Sequence, residues 1–272
     1  MMKINKVYGI FWSPTGNTKK VVEHLAICIQ DCLQVPLELI DLTLRENRQK
    51  EYVFASSDLI VAGIPTYAGR IPNKILPDLK IILTGCKTPM IHIVTYGNRS
   101  YDFSLKESVS MFSKQGFFSV GACALACEHA FSKQLASNRP NEEDLRELTQ
   151  FSLGLCHKIP EYEWVYENLN LEIGAYYIPL KEDESPAKFL KAVPKTDVLL
   201  CNGCMQCAKV CPMGSIDFSD VTKMTNVCIK CQACIQVCPV KARFFDDEDF
   251  LSHIRMLENN YSEYKENKFW MR

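Results

Sequence analysis

The sequence predicts an α/β protein: a doubly wound parallel sheet over the first 158 residues, then a small α+β module near the C-terminus. Three observations carry this. Strand-like apolar runs alternate with helix-period segments through the N-terminal half. Around 181–196 that alternation is broken by prolines and the acidic run KEDES. Beyond it one cysteine spacing is written twice, as CNGCMQCAKVCP at 201–212 and CIKCQACIQVCP at 228–239. At 272 residues the chain also exceeds the roughly 100–200 of a typical domain, so two modules are the default expectation.

The elements follow in order. VYGIFW (7–12) reads as a first strand, SPTGNTKK (13–20) opens a helix over 17–33, and LELIDL (37–42) and DLIVAGI (58–64) are the next strands. A helical segment near 73–84 leads to PMIHIVTY (89–96), and a helix near 103–115 leads to FFSVGACAL (117–125). A helix near 142–158 closes the series. Five strands with crossover helices make a doubly wound parallel sheet. Residues 161–196 read as a connection packed on one or both modules, because Tyr162, Trp164, Tyr166, Tyr176 and Tyr177 are too many aromatics for a floppy linker. In the tail, 246–272, Phe250, Ile254, Leu257 and Tyr261 recur at helical spacing and predict a helix on the neighbouring surface.

Composition narrows the function. A net charge of −1 gives no basic surface for nucleic acid or an anionic membrane. MMKINKVYGIFW lacks the layout of a signal peptide, and FFSVGACALAC (117–127) is well short of the roughly 20 residues that span a bilayer, so a cytoplasmic protein is expected. In that compartment fourteen cysteines argue for metal ligands or free thiols. Six of them, Cys28, Cys32, Cys86, Cys123, Cys127 and Cys156, are scattered among apolar residues and read as small buried hydrophobes. Residues 1–160 carry 18 Lys and Arg against 15 Asp and Glu, a net of +3, and 161–272 carry 13 against 17, a net of −4. The halves are mildly complementary.

The other eight cysteines carry the strongest signal. Cys201, Cys204, Cys207 and Cys211 precede Pro212, and Cys228, Cys231, Cys234 and Cys238 precede Pro239, so each run is C-x2-C-x2-C-x3-C-P. Three close thiolates wrap three corners of an iron–sulfur cube, and the fourth, turned away at the proline, ligates the other cluster. One [4Fe–4S] cluster is expected on Cys201, Cys204, Cys207 and Cys238, and a second on Cys228, Cys231, Cys234 and Cys211. Small residues between the ligands, Gly203, Ala208, Gly214 and Ala233, let backbone N–H groups approach the sulfurs. Zinc pairs two C-x2-C units across a longer gap, often with histidine, and no histidine lies between 201 and 238. Residues 197–245 resemble the bacterial two-cluster ferredoxins, which implies one-electron transfer at low potential.

In the first half, residues 13–18 form a polar loop at a helix N-terminus, suited to a phosphate and distinct from a Walker A loop or a GxGxxG turn. At the expected switch point stand IPTYAGRIPN (64–73) and TYGNRSYD (95–102), each with a glycine, an aromatic and an arginine. Their glycines let backbone approach a flat ring on which Tyr67, Tyr96 or Tyr101 can stack. With these loops, residues 1–158 resemble flavodoxins. The resemblance implies the strand order 2-1-3-4-5 and FMN, with Ser13, Thr15, Gly16, Asn17 and Thr18 holding its phosphate. Pro65, Thr66, Tyr67, Ala68 and Gly69, with Tyr96, Gly97, Asn98, Arg99 and Tyr101, would flank the isoalloxazine. Flavodoxins are usually strongly acidic, and the +3 here departs from that. With YGNR, EHAF (128–131) and NRP (138–140), the whole chain resembles a family of fused flavodoxin–ferredoxin proteins. The Glu128–His129 pair is a candidate for proton handling, or for capping and packing.

The sequence thus predicts electron transfer between FMN and two [4Fe–4S] clusters, with redox donors and acceptors as partners. An FMN-dependent reductase fed by the clusters and a redox sensor remain as alternatives, and no Ser-His-Asp set, carboxylate pair or NAD(P) fingerprint separates them.

Overall fold

The computed structural model describes residues 2–162 and 171–272. In chain order its first part holds β1 (Lys6–Phe11), α1 (Asn17–Leu33), β2 (Leu37–Asp41), β3 (Tyr52–Phe54), β4 (Asp58–Pro65), α2 (Leu76–Ile82), β5 (Leu83–Gly85), β6 (Thr88–Tyr96), α3 (Ser104–Ser113), β7 (Phe117–Ala126) and α4 (Glu142–Lys158). The remainder holds β8 (Lys195–Thr196), α5 (Gln206–Lys209), α6 (Ala233–Gln236), β9 (Arg243–Phe244), α7 (Glu248–Asn260) and β10 (Lys268–Met271).

The main sheet runs β10-β7-β6-β4-β1-β2. Without β10, every pairing in it is parallel, in the flavodoxin-like order 2-1-3-4-5 with β4, β6 and β7 as the third to fifth strands. β6 is buried along its whole length, as a strand covered by helices on both faces must be. On one face Val21, Val22, Leu25 and Ile29 of α1 pack with Leu148, Phe151 and Leu155 of α4. On the other, Leu79 of α2 and Phe112 of α3 meet Ile60, Ile64 and Trp12. α1 lies so close to β4 that a Cβ on Gly63 would fall 2.2 Å from Val22 Cγ2. α4 starts at a capping box in which Asn141 accepts from the Glu143 and Asp144 N–H groups.

Three features differ from the sequence expectation. The helix near 73–84 ends at Ile82, and its last residues become β5, which pairs in parallel with β3 in a separate two-stranded ladder. The tail forms α7 as expected, but 268–271 become a strand antiparallel to β7, so the sheet has six strands rather than five. The free edge of β7 explains this: its unpaired N–H and C=O groups need a partner, and Phe269 brings an aromatic ring to Phe151 beneath it. Finally, Cys32 and Cys86 are exposed and Cys28 is half-buried, so only Cys123, Cys127 and Cys156 are small buried hydrophobes.

The connection lies against the first module. Tyr176 donates its hydroxyl to Ile71 O (2.8 Å), and the Tyr177 N–H bonds Ala68 O (2.9 Å). Trp164 and Tyr166 fall outside the described residues. Among the described residues no helix is long and apolar enough to cross a membrane.

Candidate functional site

The doubled cysteine run folds as a doubled turn. A shift of 27 positions (201 to 228) superposes the two spacings, and left-handed backbone recurs at the same places. Gly203 (φ 71°) matches Lys230 (58°), Met205 (60°) matches Gln232 (68°), and Gly214 (58°) matches Lys241 (55°). Each run turns into one short helix, α5 or α6. After each fourth cysteine an N–H reaches back to its sulfur: Ser215 to Cys211 Sγ and Ala242 to Cys238 Sγ, both 3.2 Å. The Lys230 N–H likewise points at Cys228 Sγ at 3.4 Å. Such N–H donors offset the negative charge of a thiolate-bound iron–sulfur group.

Cys228, Cys231 and Cys234 line one small cavity together with Cys211, the fourth cysteine of the other run. These are the four cysteines that the sequence assigns to one expected cluster. Burial pushes the free Cys228 and Cys231 thiols up, and Cys234 to about 11 while the neighbouring Arg243 pulls against the rise. Thiols of this kind ionise when a metal compensates their charge. In the other set Cys201 and Cys207 pack with Met205, and Cys204 is exposed. Cys238 is placed only by its turn, as the repeat equivalent of Cys211. Among the described residues no three His, Cys, Asp or Glu side chains converge closely enough for a single metal ion.

The second feature is a cavity of about 240 Å³ beyond the C-terminal ends of β1, β4 and β6, where a doubly wound sheet binds its ligand. Ser13, Thr15, Asn17 and Thr18 line one end, and 65–69 with Tyr96, Gly97 and Arg99 line the middle. In the phosphate-type loop, Ser13 Oγ accepts the Lys19 N–H (2.9 Å) and the Lys20 N–H closes on Gly16 O (3.0 Å). The N–H groups of Asn17 and Thr18 are left without an acceptor among the described residues, as first-turn amides that can face an anion. The side chains contribute less than the sequence suggests: Asn17 Nδ2 donates to Glu128 O (3.0 Å), and Thr18 Oγ1 shares a buried hydrogen bond with Thr95 Oγ1 (2.7 Å).

Three expected residues stand outside this lining. Gly16 caps α1 in left-handed backbone, φ 90°, with its N–H turned to Ser13 O. Asn98 is buried and directed at the tail, donating to Tyr261 O (2.6 Å) and Glu263 O (2.8 Å). Tyr101 packs between Tyr96 and Trp270, drawn away by the tail strand.

The far wall comes from segments the sequence did not connect with the site: Phe131, Tyr177, Phe189, His253 and Leu257. His129 lies flat on the fourth-strand loop, where a Cβ at Gly97 would meet its Cδ2 at 2.1 Å. His129 Nδ1 accepts the Phe131 N–H (3.0 Å), which places the ring proton on Nε2. Burial, aided by His253 and Arg99, lowers its pKa to about 4, so the ring is neutral at pH 7. His253 has the opposite tautomer, because its Nδ1 must donate to Leu180 O (2.7 Å). The Tyr177 hydroxyl is buried and unpaired among the described residues, beneath the Arg99 guanidinium 3.9 Å from its ring centroid. Glu128 is engaged instead: burial pushes its carboxyl up, but Lys133 and the Asn138 N–H pull it below the usual range. The signal for these partners was present only as EHAF and two linker tyrosines, since His129 and His253 stand far apart in the chain.

The two sites share a wall. Ile229 and Lys230, between Cys228 and Cys231, line both cavities. Tyr67 packs with Ile229, and burial pushes its hydroxyl pKa up with the Cys231 and Cys228 thiols adding to the rise.

Comparison with known proteins found one family and several solved structures similar to parts of the chain. Residues 184–243 match the family described as a 4Fe-4S dicluster domain. No curated protein matches the chain. Among solved structures, a Streptococcus pneumoniae TIGR4 flavodoxin aligns with 56% of this chain and 99% of its own at 19% identity and a TM-score of 0.41. A flavodoxin from the domain Archaea aligns with 57% of this chain and 99% of its own at 14% identity, TM-score 0.41. A short-chain flavodoxin associated with a non-canonical PDU bacterial microcompartment covers 58% and 99%, at 17% identity and 0.40. The fold assignment rests on strand order and register.

Proposed function

We propose that this chain is an electron-transfer protein that couples one FMN to two [4Fe–4S] clusters. A flavodoxin-like sheet and a 4Fe-4S dicluster match support electron transfer in general terms. The observation that carries the finer reading is the wall of Ile229 and Lys230 between the two cavities.

In this reading residues 1–160 hold the flavin, 161–196 connect, 197–245 hold the clusters and 246–272 brace the two. The donor set suits these groups. Cys211, Cys228, Cys231 and Cys234 would hold the cluster beside the flavin site, and Cys201, Cys204, Cys207 and Cys238 the other, whose exposed Cys204 faces outside donors or acceptors. Thr15 and the free N–H groups of Asn17 and Thr18 would take the FMN phosphate, while Tyr67, Gly97 and Arg99 would line the ring. A flavin supplies the ability to accept two electrons and release them singly, and iron–sulfur clusters supply one-electron steps. The chain's own residues position these groups and keep them apart from water.

The test is rapid mixing. Reduction of the clusters in the fully loaded protein is expected to change the flavin spectrum at a rate independent of protein concentration, since tethering sets an effective concentration near the millimolar range. A rate proportional to concentration would overturn the coupling.

A second reading, an FMN-dependent reductase, is favoured by one observation: two neutral-ring candidates of opposite tautomer, His129 and His253, line the same cavity. A reductase would turn over one small molecule far faster than generic dyes, whereas a carrier would not discriminate.

A further inference from the structure

Within the doubled run, one buried position breaks the repeat. The 27-position shift pairs Ser215 with Ala242, each sending its N–H to the fourth cysteine of its own run at 3.2 Å, and so pairs Ile216 with Arg243. Both residues are 3% exposed. A core position that is apolar in the first run is therefore a guanidinium in the second. Its partners are all neutral: Thr196 Oγ1 (2.6 Å), Val221 O (2.7 Å) and, more loosely, Met224 Sδ (3.9 Å). Its Nε–H has no acceptor among the described residues. A buried cation is costly unless an anion answers it. The cysteines are at hand to supply one. Met224 lines the small cavity with Cys211, Cys228, Cys231 and Cys234, and β9, which carries Arg243, packs on α6, which carries Cys234.

We propose that Arg243 is the buried counter-charge of the iron–sulfur group on Cys211, Cys228, Cys231 and Cys234, and holds its reduction potential above that of the other set. This rests on the reading that both sets carry [4Fe–4S] clusters. Each added electron makes such a group more negative, and net charge and hydrogen bonds to its sulfurs set its potential. A fixed cation in a low-dielectric site favours the more negative form, so an electron is held more tightly beside Arg243 than beside Ile216. The step that Arg243 biases is a one-electron exchange: the cluster on Cys201, Cys204, Cys207 and Cys238 is oxidised as the other is reduced, and no bond or proton changes. An electron entering at exposed Cys204 is thereby drawn to the set whose wall, Ile229 and Lys230, borders the larger cavity. Lys230 adds a second cation to that side where the first run has Gly203, and its ammonium reaches Cys228 O at 3.4 Å. Lys209, after Cys207, and Lys241, after Cys238, are exposed, so solvent and salt screen them.

The test is an anaerobic redox titration of the full chain followed by electron paramagnetic resonance, with iron and sulfide assayed in each sample. The signal of the set in question is identified as the one altered in Cys211→Ser. In the parent that signal is expected to have the higher of two potentials. In Arg243→Gln it should become harder to reduce by about tenfold, equal to about 59 mV for one electron, while the other signal moves much less. Arg243→Lys, which keeps the charge, should stay nearer the parent. If the Gln variant loses iron, Arg243→Met, of similar length, carries the same expectation. The reverse order of potentials in the parent, an unchanged potential in the neutral variants, an equal fall in the Lys variant, or a shift confined to the other signal would each overturn the proposal with both clusters in place. A parent protein holding fewer than two clusters would overturn the reading beneath it as well.

Discussion

Gly97 shows how one position in the loop after β6 is decided by its neighbour. The sequence reading gave its lack of a side chain to an approaching ring, but in the fold the crowding atoms belong to His129, at 2.1 and 2.6 Å from a notional Cβ. Gly97→Ala is therefore expected to push His129 aside and to destabilise the protein by roughly 1–3 kcal/mol in urea unfolding. His92 gives a pH signature. Its ring is buried between Ser108 Oγ (3.0 Å) and Ser119 Oγ (2.9 Å), and burial lowers its pKa to about 3. Between pH 6.5 and about 3 the unfolded chain binds a proton that the folded chain refuses, so stability falls as pH drops through that window and is fully present above it. Such a group's slope approaches about 1.4 kcal/mol per pH unit only well below pH 6.5, so His92→Gln should remove about 1 kcal/mol of the stability change when unfolding is compared at pH 5.5 and 6.5. At this scale the sequence was legible where chemistry is local, as in the cysteine spacings. It was silent on His253 and Tyr177, whose roles come from chain segments meeting in space.

At the scale of elements, the 27-position repeat was legible because ligand spacing dictates turns, and left-handed backbone at Gly203 and Gly214 needs no side chain to be relieved. The second run places Lys230 and Lys241 in the same conformation, where a Cβ carries a penalty of roughly 1–2 kcal/mol. Lys241→Gly is accordingly expected to slow iron loss on mild denaturation and to stabilise by about 1 kcal/mol or less, since glycine also frees the unfolded chain. The five parallel strands were readable from apolar runs alone. β10 was not, because four residues have too little pattern to distinguish a strand from the end of a helix, and only the open edge of β7 selects one. Truncation after residue 261 would bare that edge and leave Arg139 without its acceptors on the tail, Lys265 O and Asn267 Oδ1. The shortened chain is expected to aggregate where the full chain does not, as followed by light scattering.

Over the whole molecule, the first module and the cysteine module meet through the buried Arg48 and through the packing of Tyr67 on Ile229. Arg48 is 5% exposed and donates to Leu42 O (2.9 Å), Thr43 O (2.7 Å) and Asp78 (2.7 Å) on its own module, and to Pro212 O (3.0 Å) at the turn after Cys211. Lys230 is tied instead to the connecting segment, its ammonium on Leu190 O at 2.7 Å. No sequence pattern marks Arg48, because it lies in a short turn after β2 and its partner is 164 positions away. Removing it leaves a proline carbonyl at the cluster module without its donor and weakens the seat of that module by about 2–4 kcal/mol, in line with the loss of a buried, hydrogen-bonded cation. In Arg48→Ala the tether still keeps both modules in one molecule, so the transfer rate should stay independent of protein concentration. The rate itself should fall, because the wall of Ile229 and Lys230 is no longer held against Tyr67 for the same fraction of time. Rapid mixing of the variant, with iron and flavin contents matched to the parent, separates the two quantities. An unchanged rate would show that Arg48 serves only the fold of its own module, and that the cysteine module is seated on the first module by other contacts.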